Sequence, residues 1–349
     1  MPLFTQPPKS ICILRLSAIG DVCHALAVVQ QIHQYWPSTK ITWIIGKTER
    51  NLFEHIDGIN FVIYDKKSGI KGIWALWKSL KGQHFDALLN MQTALRTTII
   101  SLGIKAKYKI GFGKKRSREG QFLVVNHRIT DPKNPHVLDG FMAFAQELGV
   151  PTTIPHWKLN IPSEIQQNVS QYIDPRKQTL IISPCSSKAE KDWTIQGYAQ
   201  IADITHLQHK QVIFCGAPAP REIAMVEQII QACHFKPLNL CGKTSLIEFA
   251  ALISQADLVL APDSGPAHLA TLGNTPVIGL YAYHNPRRTG PYNDLDNVVS
   301  VYDQCLMRTE NKTAKEVPWA TKLKGENLMS EITADMVIHK MQEIDFLAK

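Results

Sequence analysis

The sequence predicts an α/β protein built as two parallel-sheet halves. Three observations carry that expectation. Short β-prone runs alternate with longer helical patterns, and the alternation occurs in two series. A proline-spaced stretch, 150–162, separates the series. The chain has 349 residues, 44% of them hydrophobic, enough for two ordinary domains with cores of their own.

In the first series, Ser10–Leu16 reads as a strand and Asp21–Tyr35 as a helix. Lys40–Ile45, Phe61–Tyr64 and Ala87–Asn90 read as further strands. In the second, Thr179–Ser183 is a strand, Trp193–Leu207 a helix, Gln211–Cys215 a strand and Arg221–Cys233 a helix. Leu246–Ser254 (helix), Asp257–Ala261 (strand), Ser264–Leu272 (helix) and Val277–Leu280 (strand) follow. The linker is expected near 150–175, which sets domains at 1–170 and 171–325. A last helix near Glu331–Leu347, within 326–349, follows a polar region, and a return to pack on the first domain is left open for it.

Composition narrows the class. Seven cysteines, an odd number without a CxxC pair, lie at positions 12, 23, 185, 215, 233, 241 and 305. Several sit inside apolar runs, so they read as reduced core thiols of a cytosolic protein. Residues 1–8 and the strand that follows, which carries Arg15, do not resemble a signal peptide. No run reaches the length of a membrane span. The net charge of +8 points to an acidic partner: nucleic acid, anionic membrane or a phosphorylated substrate.

Two strand–helix turns carry chemistry. After the first strand comes Leu16-Ser17-Ala18-Ile19-Gly20-Asp21-Val22, where a dinucleotide fold would place GxGxxG. The single glycine argues against a nicotinamide or flavin enzyme. Asp21 stands at the start of a helix. A plain cap is one reading; the other is a carboxylate at the sheet edge that takes a proton from an attacking hydroxyl. In the second series, Asp263-Ser264-Gly265-Pro266-Ala267-His268-Leu269 opens a helix with free N–H groups and the positive dipole end, a place suited to a diphosphate. His268 reads either as packed or as a site residue. The loop 183–193 adds Ser186, Ser187 and Lys191, which read as phosphate ligands or as a solvated loop.

Three stretches together, 15–22, 188–193 and 263–269, resemble the bacterial lipopolysaccharide core heptosyltransferases, glycosyltransferase family 9. Their spacing, and Thr275-Pro276-Val277-Ile278-Gly279-Leu280-Tyr281, also match. The likeness covers nearly the whole chain and is nearest the heptosyltransferase I type. The resemblance implies a GT-B fold, two Rossmann-like domains facing across a cleft. It implies inverting transfer of heptose from ADP-L-glycero-D-manno-heptose to the Kdo of Kdo-lipid A. No DxD pair suited to a divalent cation follows a strand, so no metal is expected, and no cofactor. The resemblance further implies that Asp21 is the base and that Lys191 contacts donor phosphate and sugar. By the same likeness, Ser186 and Ser187 lie near the diphosphate, while Ser264 and Gly265 form its backbone site. Asp263 then holds the heptose beside His268, Glu222 meets the ribose, and Thr244 lies at the adenine. The chain departs from the family pattern at Ala27 and Thr194, where relatives often have proline.

The basic residues acquire a role in this reading. Lys66, Lys67 and Lys71 form one group. Lys105, Lys107, Lys109, Lys114, Lys115, Arg116 and Arg118 form another with no acid among them. Lys66, Lys67, Lys114, Lys115, Arg116 and Arg118 are the acceptor-side candidates, suited to an anionic lipid at the inner-membrane surface. A nucleotide-sugar epimerase or another sugar-nucleotide GT-B enzyme is the alternative, and a silent sugar-nucleotide binder a third reading. A nucleic-acid partner is disfavoured, because no RRM, KH or helix-turn-helix pattern occurs. The expected setting is cytoplasmic, with attachment to the inner membrane left open.

Overall fold

The computed structural model describes residues 2–151 and 153–348. The chain divides into two compact units, Met1–Asn160 and Ile161–Lys349.

In the first unit, β1 (Ser10–Leu14), β2 (Lys40–Gly46), β3 (Ile59–Tyr64), β4 (Phe85–Asn90), β5 (Ala106–Gly111) and β6 (His127–Arg128) form a parallel sheet. Its order is β3-β2-β1-β4-β5-β6. The helices are α1 (Ile19–Tyr35), α2 (Lys47–Arg50), α3 (Gly69–Ser79), α4 (Leu95–Leu102) and α5 (Val137–Leu148). α3 and α4 cover one sheet face through Ile73, Leu76 and Ile100, joined by Ile104 just beyond α4, packed on Cys12, Leu14 and Leu88. α1 packs beside α5.

The second unit repeats the plan. β7 (Thr179–Ile182), β8 (Gln211–Phe214), β9 (Leu238–Asn239), β10 (Leu258–Pro262), β11 (Val277–Tyr281) and β12 (Val299–Ser300) are parallel, in the order β12-β11-β10-β7-β8-β9. Its helices are α6 (Ser163–Ser170), α7 (Ile195–Leu207), α8 (Pro220–Ala232), α9 (Leu246–Ile253), α10 (Gly265–Gly273), α11 (Pro286–Thr289), α12 (Tyr302–Glu310) and α13 (Ala334–Glu343). Strands buried on both faces, such as the wholly buried β7, β10 and β11, explain the continuous apolar runs.

Each sheet therefore has the doubly wound order 3-2-1-4-5-6 in its own strands. In each unit, the order reverses between the first and fourth strands. Loops leaving the carboxyl ends of those strands diverge and leave a crevice where ligands bind.

Two domain expectations change. The boundary moves from 170 to 160, because α6 belongs to the second unit. It packs on α9, and the Gln255 side-chain amide donates to the Gln166 carbonyl (3.0 Å). The terminal helix also belongs there, packed on α7 and β11. Val337, Met341, Phe346 and Leu347 enter that unit's core, and the Trp193 indole donates to the Ile332 carbonyl (2.8 Å). At α7, Thr194 is the N-cap and accepts from the Gly197 N–H (3.0 Å). The hydroxyl thus supplies the helix start. All seven cysteines are free, and six are buried. Among the described residues, no helix is long and apolar enough to cross a membrane.

Candidate active site

The second unit's crevice is built by three neighbouring strands, β11, β10 and β7. Asp263 leaves β10, Lys191 lies in the loop after β7, and His284 follows β11. Because β10 lies between the other two, Asp263 meets both partners. Its Oδ2 accepts from His284 Nδ1 at 2.6 Å and lies 3.1 Å from Lys191 Nζ. Lys191 also donates to the Asp263 carbonyl. All three side chains are less than one-fifth exposed. Burial works against ionisation of Asp263, but the His284 hydrogen bond and the Lys191 charge outweigh it and hold the carboxyl well below the usual range.

α10 starts immediately after Asp263. Ser264 is its N-cap in extended conformation, yet its hydroxyl turns back to the Pro262 carbonyl (3.0 Å) and makes no cap bond. Pro266 has no N–H. The first-turn donors of Gly265 and Ala267 are therefore left without a side-chain cap, with the positive dipole end behind them and Lys191 alongside. His268 is buried in the next turn.

The loop carrying Lys191 is held by its own polar clamp. Asp192 accepts from the Ser186 N–H (2.6 Å), and Arg221 bonds both Asp192 and the Ser186 carbonyl. The Ser186 hydroxyl donates to the Lys188 carbonyl (2.8 Å). Glu222, half-buried, accepts from the Ala217 N–H (2.8 Å) beside Gly216. Burial raises its carboxyl above the ordinary value.

The first unit has a matching row at its carboxyl edge. Arg15 follows β1, is buried, donates to the Met91 carbonyl (2.6 Å) and pairs with Asp21. Burial pulls the guanidinium down, and the Asp21 and Glu49 charges oppose that. Asp21 is the third residue of α1, not its N-cap; Ala18 is. Its carboxylate accepts from the Ala18 N–H (3.3 Å) and is one-third exposed. The capping and chemical readings are thus compatible, since one oxygen serves the helix while the side chain still reaches solvent. Glu49, after β2, is buried and accepts from Lys66 Nζ (2.8 Å), which follows β3. Gly46 makes room for it: a Cβ there would collide with the Glu49 carboxylate and the Leu16 carbonyl.

The family model for glycosyltransferase family 9 (heptosyltransferase) matches residues 73–319. The chain belongs to glycosyltransferase family 9, the heptosyltransferases. It is 61% identical to a lipopolysaccharide core heptosyltransferase, OpsX, of Haemophilus influenzae, over 99% of each chain. The fold is similar to a family 9 glycosyl transferase of Veillonella parvula (TM-score 0.79, 21% identity, 98% of each chain). It is likewise similar to E. coli heptosyltransferase WaaC with ADP (TM-score 0.73, 16% identity, 96% of this chain and 99% of that one). The enzyme is therefore a glycosyltransferase, and the epimerase alternative falls away.

The heptosyltransferase gathers Lys191, Asp263, Ser264, Gly265, Ser186 and His268 around the β7–β10 crevice. Ser187 is exposed beside Ser186. Glu222 lies after β8, and Thr244 lies just before α9, whose N-cap is Ser245. On the first unit, Lys66, Lys67, Lys114, Lys115 and Arg118 all lie in loops that leave the carboxyl ends of β3 and β5, the same edge as Asp21. Arg116 does not belong with them. It is 4% exposed, and its guanidinium donates to the carbonyls of His136 and Asn134 (both 2.9 Å), so its charge serves the interior. His284, Asp192, Arg221 and Glu49 were not singled out from the sequence. Their shared signal is position within a few residues of a strand's carboxyl end or at the head of the following helix.

Proposed function

We propose that the enzyme transfers heptose from ADP-L-glycero-D-manno-heptose to a Kdo hydroxyl of Kdo-lipid A, in the inner core of lipopolysaccharide, with inversion. The observation that carries this is the Lys191–Asp263–His284 cluster set against the uncapped start of α10. It offers one fixed carboxylate for sugar hydroxyls and an adjoining cationic, N–H-rich place for a diphosphate. The 61% identical core heptosyltransferase and the ADP-bound family neighbour support the same donor class.

In this reading, Asp21 takes the proton from the Kdo hydroxyl, whose oxygen forms the new bond to the anomeric carbon of heptose. The bond from that carbon to the β-phosphate oxygen breaks, and ADP leaves with the electron pair. Lys191 and the N–H groups of α10 stand where the departing charge grows, and such fixed dipoles are commonly the largest catalytic contribution. Arg15 positions Asp21 through their ion pair. Ser186 and Ser187 serve the diphosphate, Glu222 the ribose and Thr244 the adenine. Lys66, Lys67, Lys114, Lys115 and Arg118 serve the anionic acceptor.

The direct test incubates the protein with ADP-heptose and Kdo-lipid A and weighs the lipid by mass spectrometry. A gain of one heptose is expected. Asp21→Asn should lower turnover by about 10²–10⁴-fold, the usual range for a general base, while ADP affinity persists. Undiminished turnover would remove Asp21 from the chemistry. Charge reversal at Lys67, Lys114 and Lys115 should raise the acceptor KM and leave donor binding unchanged; equal loss of both would show misfolding instead.

A further inference from the structure

The first unit carries an apolar surface that its own fold leaves uncovered. α3 buries Ile73 and Leu76 against the sheet, with Leu80 at its C-cap. Round the helix from them, on its exposed flank, it presents Ile70 (74% exposed) and Trp74 (65% exposed), one helical turn apart. Large apolar side chains exposed together in this way mark an interaction surface. α4 lies alongside it, tied by the Trp77 indole donating to the Ile100 carbonyl (2.9 Å). α4 presents Leu95, Ile99 and Leu102, spaced i, i+4, i+7 along one exposed stripe. The adjoining turn is fastened to α4 by Glu119, which accepts from the Leu95 N–H (2.5 Å). It adds exposed Phe122 and Leu123.

The surroundings are cationic. From Asp65 to Glu119 the sequence holds thirteen lysines and arginines against three acids, Asp65, Asp86 and Glu119. Asp86 is occupied by the Ser10 N–H (3.0 Å). Trp74 and Trp77 wall a groove of about 590 Å³ whose rim carries Lys78, Lys81 and Lys105. Aromatic and aliphatic side chains flanked by lysines combine insertion at a headgroup boundary with attraction to anionic lipid. A second copy of the chain would set like charges against each other. Nucleic acid would leave the aliphatic stripe of α4 unused.

We propose that the outer faces of α3 and α4, with the turn at 119–123, form a docking surface for an anionic lipid bilayer. The surface begins at the carboxyl edge of the sheet, where Lys66, Lys67 and Asp21 also lie. Docking there brings that edge to the membrane. The proposal deepens the reading above, in which the acceptor is a membrane lipid, and it is tested without the acceptor.

The full chain is co-sedimented with vesicles of phosphatidylglycerol and phosphatidylethanolamine, and separately with phosphatidylcholine alone. Binding to the anionic vesicles only, weakened by salt, is expected. A Lys78→Ser/Lys81→Ser variant should bind about twenty-five-fold more weakly, at about fivefold for each lysine near an anionic surface. An Ile99→Ser/Leu102→Ser variant should lose about tenfold or more, as apolar contact is withdrawn. Both should keep wild-type melting temperature and wild-type transfer to an acceptor stripped of its acyl chains. Unaltered vesicle binding by both variants overturns the proposal, as does a wild-type chain that ignores anionic vesicles. A dimer that the substitutions dissociate, without vesicle binding, assigns the surface to a second copy and also overturns it. Failure of the heptosyl-transfer reading shows separately, as no mass gain on either acceptor.

Discussion

Replacing Asp263 by Asn tests whether the second unit's site is organised around one buried charge. The Asp263 carboxylate is 12% exposed and lies 2.6 Å from His284 and 3.1 Å from Lys191. Removing one partner of a buried pair costs about 3–5 kcal/mol, because the remaining charge is left uncompensated. Asn keeps one acceptor oxygen, so about 3 kcal/mol is expected. A domain of this size shifts its melting temperature by about 2–4 °C per kcal/mol, which gives roughly 6–12 °C. The folded carboxyl is held below its unfolded value, so its contribution is complete above an unfolded value of about 3.9 and fades as pH falls below that. The difference in stability between wild type and variant should therefore be constant above about pH 5 and shrink below about pH 4. Thermal scans across pH measure it, and calorimetric titration with ADP should show weaker binding as Lys191 loses its anchor. A variant that melts within a degree of wild type at pH 7, or a difference that grows with acidification, would refute the reasoning.

The first unit yields two further expectations. Arg116→Ala should destabilise by about 2–4 kcal/mol, since it strips two buried carbonyls and the neighbourhood of Asp139 of their donor and charge, whereas Lys115→Ala should stay within about 0.5 kcal/mol. Urea titration separates the two, and equal effects would return Arg116 to the acceptor group. Arg15→Met should lower kcat by about 10²-fold through misplacement of Asp21 while the ADP-heptose KM holds. A rise in KM with kcat intact would make Arg15 a donor contact instead.

Local features were legible in the chain because local rules write them. Apolar runs bounded by turn residues marked β1, β7 and β10, and Ser264-Gly265-Pro266 marked a helix start suited to an anion. Short or exposed strands such as β6, β9 and β12 left no such trace, since two residues carry no period. The basic run after residue 104 read as one surface. In the structure, β5 and its following loop sort it, leaving Lys114 and Lys115 in solvent and drawing Arg116 inside.

By itself, the sequence determined two α/β halves, the anion-ready start of α10, the acid at the head of α1 and the family. Tertiary structure alone decided which side chains share a site. Asp263 and His284 are 21 residues apart, and Asp263 and Lys191 are 72 apart. They meet because β10 inserts between β7 and β11. The Lys66–Glu49–Arg15 row likewise follows the order β3-β2-β1. Strand order is set by how whole faces bury against helices, a global balance that no short window of sequence contains.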